Sequence, residues 1–298
     1  MAEKTVRVIT DSNSGIFPED GAKLQIDVVP MPVIVDGEEY LENVTITRQQ
    51  FWEWMEAGRN IASSQPSPET LLALWDKALE TYEGVVYIPM SSGLSGSCQT
   101  AKLLAEDYGG RVQVVDNRRI SVTMKQSVLE AAYLADQGWT AQQIHDILMQ
   151  YSGESSIYIA VDTMKYLKKG GRVTPAAATI AMALNLKPVL QIQGDKLDAF
   201  AKVRGTKAAR ERMLKAAEDD ISGRFAGKKV LIKGAYTCTD EEAAVWLEQL
   251  RARFPGCDIA LDPLSLSISV HIGTGATAVA MTVAMDGVPD LPFDPAQW

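Results

Sequence analysis

Apolar residues follow two alternating rhythms along the first half of the chain. Val6-Arg7-Val8-Ile9-Thr10, Ile26-Asp27-Val28-Val29, Val85-Val86-Tyr87-Ile88 and Val112-Gln113-Val114-Val115 are short β-rich runs and predict strands. Between them Leu71, Leu72, Trp75 and Leu79 recur at helical spacing. Thr47, Ser67 and Thr140 stand where helices should start, and Pro68 occupies the first helical position after Ser67. Met31 to Val35 and Glu38 to Leu41 flank Asp36-Gly37, a pair that supplies the positive φ angles of a type I′ hairpin turn. Strands separated by helices predict a parallel sheet covered by helices.

The helical pattern that starts at Thr140 breaks at Ser152-Gly153-Glu154, and the expected domain boundary lies there. The expected division is an α/β domain over 1–153, an α+β domain with a mixed sheet over 154–288, and a proline-bearing tail over 289–298. In the second domain strands are predicted at Ser156 to Val161, Val189 to Ile192, Leu197 to Lys202, Val230 to Ala235, Asp258 to Leu264, Ile268 to His271 and Ala276 to Ala284. Helices are predicted over Thr206 to Ile221 and Asp240 to Arg253.

Composition narrows the function classes. The chain has 298 residues, 46% of them apolar, and a net charge of −9. Such an acidic protein is poorly suited to neutralising phosphates non-specifically, so nucleic acid is not an expected partner. No apolar run reaches the length of a membrane span, and the first residues do not resemble a signal peptide. Cys98, Cys238 and Cys257 are scattered and odd in number, which points to a reducing cytoplasm. With only His145 and His271 available, a zinc site of the usual kind is not expected.

Several segments could carry chemistry. Lys165 to Arg172 is a cationic stretch ending in Gly170-Gly171-Arg172, followed by the small-residue helix Ala176 to Leu184. An anionic head with a hydrocarbon tail would suit the pair; a core helix beside a solvated basic turn is the plainer alternative. Burial of a tail contributes roughly 0.8 kcal/mol per methylene. Ser91-Ser92-Gly93-Leu94-Ser95-Gly96 lies between a strand and a helix, where hydroxyls and backbone N–H groups can receive a carboxylate or simply cap the helix. Gly93-Leu94-Ser95-Gly96-Ser97 is one glycine short of a nucleophile elbow, which keeps a serine-dependent acyl hydrolase or transferase using Ser95 and His271 as an alternative. Arg172 and Arg204, each beside glycine, offer planar forks for an anion.

These motifs, in order, resemble the DegV family of bacterial fatty-acid-binding proteins. The resemblance is carried by Asp11-Ser12, Ser63-Ser64-Gln65-Pro66-Ser67, Ser91 to Gly96, Gly170-Gly171-Arg172, Leu184-Asn185-Leu186-Lys187-Pro188, Lys202-Val203-Arg204 and His271-Ile272-Gly273-Thr274-Gly275. It departs from the family pattern at Ile272 and Thr274, at Asn117 and at Ala181. The resemblance implies a non-enzymatic cytoplasmic carrier that holds a long-chain fatty acid in a tunnel between or beside two domains, with no cofactor. It implies that Ser63, Ser64, Ser92, Ser95 and Gly96 bind the carboxylate, and that Ala177, Ile180, Ala181 and Leu184 line the tunnel. Arg172, Arg204 and His271 would support phosphotransfer by a separate fatty acid kinase, whose acyl-phosphate product feeds phospholipid synthesis. Transient membrane contact fits such a role. A lipid sensor or storage protein without a kinase partner is the remaining alternative.

Overall fold

The computed structural model describes residues 5–179, 186–194 and 196–297. The chain divides into two units: residues 1–152 with 265–267 and 285–298 form the first, and residues 153–264 with 268–284 the second.

In the first unit the order is β1 (Val6–Asp11), α1 (Pro18–Lys23), β2 (Asp27–Val29), β3 (Pro32–Val35), β4 (Glu38–Leu41), α2 (Arg48–Glu56), β5 (Ile61–Ser63) and α3 (Pro68–Leu79). It continues through β6 (Gly84–Ile88), α4 (Ser97–Ala105), β7 (Val112–Val114), α5 (Ser121–Asp136) and α6 (Ala141–Gln150). The main sheet is parallel with strand order β2-β1-β6-β7. β6, paired on both sides, is buried throughout. Trp75 of α3 meets the Tyr87 ring edge-on at 5.7 Å, and Cys98 and Ala101 of α4 join the same core.

Local chemistry accounts for the boundaries. Thr47, Ser67 and Thr140 each accept the N–H three residues on, and Gln143 completes a capping box with Thr140. At the hairpin, Asp36 and Gly37 have φ of 52° and 93°, and β3 and β4 pair across them. β5 adds a third antiparallel strand to this hairpin and ends in Ser63, within a stretch that reads as loop in the sequence. α5 carries polar residues yet is buried nearly all round. Arg119 donates to Ser127 at 2.8 Å and lies 3.7 Å from Glu130, while Gln126 donates to Glu130 at 3.1 Å, so these buried polar groups partner one another in part.

The second unit contains β8 (Ser155–Ala160), α7 (Lys165–Gly170), α8 (Pro175–Thr179), β9 (Lys187–Ile192), β10 (Asp198–Val203), α9 (Thr206–Ser222), β11 (Val230–Tyr236), α10 (Asp240–Arg253) and β12 (Leu261–Pro263). Helix α11 (Leu266–Ile272) comes next, and β13 (Thr277–Val283) completes the sheet. Its order is β10-β9-β8-β13-β11-β12, antiparallel except for the β11–β12 pair. The mixed sheet agrees with the expected α+β class. Trp246 of α10 donates its indole N–H to the Ala278 carbonyl at 3.0 Å, which fixes that helix on the sheet.

Two expected elements are corrected, and the first is the basic turn before Arg172, whose Lys165–Gly170 is helix α7. Ile268 to His271 is not a strand but part of α11. Ser265-Leu266-Ser267-Ile268-Ser269-Val270 alternates polar and apolar side chains, but all six are buried. An alternation with no water-facing side carries no strand information, and His271 consequently sits in the last turn of a helix.

Candidate functional site

The parallel sheet of the first unit brings the C-terminal ends of β1, β6 and β7 side by side. The turn after β6, residues 89–96, therefore has a strand end on each flank, the usual ligand position in such sheets. Its backbone is closely specified. Met90 N–H donates to Asp11 Oδ2 at 3.1 Å, Ser91 N–H to the Arg119 carbonyl at 3.0 Å and Ser92 N–H to Asp116 Oδ1 at 3.1 Å. Gly93 N–H reaches Ser91 Oγ at 3.3 Å, and the N–H groups of Leu94 and Ser95 both reach the Ser91 carbonyl at 3.0 Å. Each backbone donor from 90 to 95 is thus satisfied inside the unit.

A ligand at this turn is left with side chains and with the backbone beyond Ser95. Ser92 and Gly96 are exposed and Ser95 is half-buried. Ser95 Oγ lies 2.9 Å from Ser97 Oγ and accepts the Ser97 N–H at 3.2 Å, which caps the start of α4. The second serine loop is adjacent. Ser64 N–H donates to the Pro32 carbonyl at 3.1 Å, and Gln65 accepts the Thr100 hydroxyl at 3.3 Å with the same oxygen that lies beside Gly96. Gln65 and Thr100 thus bridge the loop holding Ser63 and Ser64 to the turn holding Ser92, Ser95 and Gly96. The bridge had no separate signal in the sequence beyond the Gln65 of its motif.

Two carboxyl groups lie behind the turn. Asp11 is buried, and burial pushes it up to about 6 although Met90 and Asn13 donate to it. Burial alone would also raise Asp116, but hydrogen bonds from Lys102, at 2.8 Å, and from the N–H and hydroxyl of Ser92 hold it below the usual carboxylate range. A third carboxyl, Glu42, is 1% exposed and is pushed up to about 7 by burial. Ser12 donates to Glu42 Oε2 at 2.6 Å, and the N–H of Leu266 donates to Oε1. The hydroxyls of Ser265 and Ser267 both donate to Asn13 Oδ1. Nothing in the sequence around Glu42 marks it as buried.

In the second unit, Gly171 ends α7 with φ of 67°, and the exposed Arg172 folds back onto the Gly170 carbonyl. Gly170 is pressed against the imidazole of His271, leaving no room for a Cβ. His271 is driven down to about 4, first by burial and then by the positive charge of Arg172. It is therefore neutral near pH 7 and can give or take a hydrogen bond without carrying charge. Thr237 holds the following loop by donating to the Gly273 carbonyl at 2.6 Å and accepting the Ala276 N–H at 3.0 Å. Gly273 and Gly275 admit Tyr166 and Asp162 at distances no side chain would tolerate.

Arg172 and His271 are thereby brought together. Arg204 is exposed beyond the end of β10, whereas the chain after Arg172 meets the start of that strand through Thr174 and Asp198, 2.5 Å apart. Ala177 is fully buried in α8. Ile180, Ala181 and Leu184 lie outside the described residues. Among the described residues no cluster of three or more His, Cys, Asp or Glu is arranged to hold a metal ion, and no helix is long and apolar enough to cross a membrane.

The family model described as the DegV family matches residues 5–283. A DegV domain-containing protein of Deinococcus radiodurans is 32% identical over 278 residues, covering 93% of this chain and 98% of that protein. Among solved structures, one described as fatty acid binding of a DegV family protein from Thermus thermophilus is 29% identical. It superposes with a TM-score of 0.85 over 94% of this chain and 100% of its own. DegV, a fatty acid binding protein from Bacillus subtilis, is 26% identical with a TM-score of 0.82, over 95% and 100% of the two chains.

Proposed function

The chain belongs to the DegV family, and on that premise we propose that it binds a long-chain fatty acid and presents the carboxylate to a separate fatty acid kinase. The observation that carries the reading is the turn after β6. Its backbone donors from 90 to 95 are already spent, while Ser95, Ser92 and Gly96 stand at its accessible side and Gln65 draws the Ser63-Ser64 loop beside them. A carboxylate is matched by such a set, because hydroxyls reorient to donate and the Gly96 N–H opens a helix whose dipole favours negative charge.

The second unit supplies the cationic chemistry. Arg172 and Arg204 are suited to oxygens of the acyl carboxylate or of an incoming phosphoryl group, and neutral His271 to donating a hydrogen bond without adding charge. Of the four residues proposed to shelter the hydrocarbon, Ala177, Ile180, Ala181 and Leu184, Ala177 is the one among the described residues. The carrier reading is favoured over an acyl hydrolase because a histidine near 4 is a weak general base.

Native mass spectrometry of protein purified from a bacterial host tests the binding step. The expected result is a bound mass of fatty-acid size that exchanges with added palmitate or oleate. Empty protein without affinity for myristate, palmitate, stearate or oleate would overturn the reading.

A further inference from the structure

Asp11 and Asp116 offer a ligand carboxylate no donor, yet they flank the serine turn from opposite sides. The strand order puts β6 between β1 and β7. Asp11 is the last residue of β1, and Asp116 lies two residues beyond β7. Each carboxylate takes a backbone N–H from the turn after the strand between them: Met90 for Asp11 and Ser92 for Asp116. Each is also tied elsewhere. Asp11 accepts the Asn13 N–H at 2.9 Å, and Asp116 accepts Lys102 of α4, the helix that the turn leads into.

We propose that Asp11 and Asp116 are a pair of positioning residues that clamp the turn at residues 90 and 92 and so set where Ser95 and Gly96 present their donors to a ligand carboxylate. The proposal rests on the fatty-acid reading of the site. Two observations carry it. The turn's own short hydrogen bonds, from Gly93, Leu94 and Ser95 back to Ser91, fix its shape but not its placement on the sheet. Placement comes from three outside acceptors, and two of them are these carboxylates; the third is the Arg119 carbonyl. In addition, Lys102 binds Asp116 from the second turn of α4, so the same carboxylate sets the turn and the helix start after it. A group that fixes the donors without touching the ligand acts on head-group recognition and leaves affinity for the hydrocarbon untouched.

The chemistry of the two carboxylates separates placement from folding. In Asp116→Asn the amide oxygen still accepts the Ser92 N–H, and Lys102 is free to turn toward solvent. Asp116→Ala removes the acceptor. Asp11→Asn must sacrifice one of two N–H bonds, since only one of its side-chain atoms accepts.

The test is equilibrium binding of palmitate and of 1-hexadecanol, which has the same chain but no carboxylate, to the full chain and its variants. Asp116→Ala is expected to weaken palmitate by about tenfold, the scale of one hydrogen bond to a charged group, with hexadecanol unchanged. Asp116→Asn is expected to restore palmitate binding to within about threefold of the parent, and Asp11→Asn to lower palmitate but not hexadecanol. Equal loss of both ligands, or unchanged palmitate binding in Asp116→Ala, would overturn the clamp. Should Asp11→Asn fail to fold, the Asp116 pair alone decides. A parent protein that binds neither ligand would instead overturn the fatty-acid reading itself.

Discussion

The N–H of Leu266 donates to the buried carboxylate of Glu42, 224 residues earlier in the chain. Ser12 occupies the other carboxylate oxygen. Burial raises Glu42 from 4.5 to about 7, and the nearby Asp11 adds to the shift, while the donors from Ser12 and Leu266 oppose it. An acid raised on folding contributes stability that is complete below its unfolded value and is lost as pH climbs through the folded one. Resistance to urea should therefore fall between about pH 5 and pH 8, with Asp11, raised to about 6, contributing in the same direction. Glu42→Gln removes the ionisation and should flatten the profile, with a gain at pH 8 on the order of 3 kcal/mol. An unchanged pH profile in the variant would show that Glu42 ionises alike in the folded and unfolded chain, and that burial does not raise it.

Gly170 and His271 offer a test in which two effects oppose. Alanine within a helix normally gains about 1 kcal/mol over glycine. At Gly170 the added methyl would enter the His271 ring, so Gly170→Ala should instead cost about 1–3 kcal/mol. Gly171→Ala meets no neighbour but keeps φ at 67°, and should cost about 1 kcal/mol from backbone strain alone. Chemical denaturation of the two variants compares them directly.

Replacing Arg172 by Gln should raise the titration midpoint of His271, read by NMR of the imidazole carbons. The rise should stop short of the ordinary 6.5, because burial is the larger cause and remains. A full return to 6.5 would assign the shift to charge.

Ser63→Ala combined with Ser95→Ala should weaken carboxylate binding by about 1.5–3 kcal/mol for each charge-assisted hydrogen bond lost. Isothermal titration with palmitate measures it, and an unchanged affinity would move the head group elsewhere. A fluorophosphonate probe should leave Ser95 unlabelled; labelling abolished by Ser95→Ala would revive the hydrolase.

Arg172→Ala and Arg204→Ala, assayed with a fatty acid kinase, should impair formation of acyl-phosphate more than binding of the acid. The opposite pattern would reassign both arginines to the head group.

Elements with one wet and one dry side were legible in the sequence, and so were those with chemical punctuation. The Asp36-Gly37 hairpin, the caps at Thr47, Ser67 and Thr140, and the parallel order of the first sheet all arise from local rules. One segment buried on every side was misread, although β6, buried throughout, was not. α11 resembles a strand because its serines alternate with apolar residues, although all of them are inside. At the site, the serine loops were identifiable as motifs. Glu42, by contrast, looks like any acidic residue beside a turn, because its partners lie at Ser12 and Leu266. The bridge from Gln65 to Thr100 is likewise a product of the fold, since it joins a loop to a helix residue 35 positions on.

The discontinuous first unit imposes an order on synthesis. Residues 265–267 belong to it, yet they leave the ribosome long after Glu42 and Asn13. At roughly 5–20 residues per second, Glu42 waits about 10–45 s for the N–H of Leu266. During that interval a carboxyl bound for the interior and an amide awaiting two hydroxyls stay dependent on water. The nascent first unit is thus complete only when nearly the whole chain has been translated, and a ribosome stalled near residue 153 would display it with these partners missing.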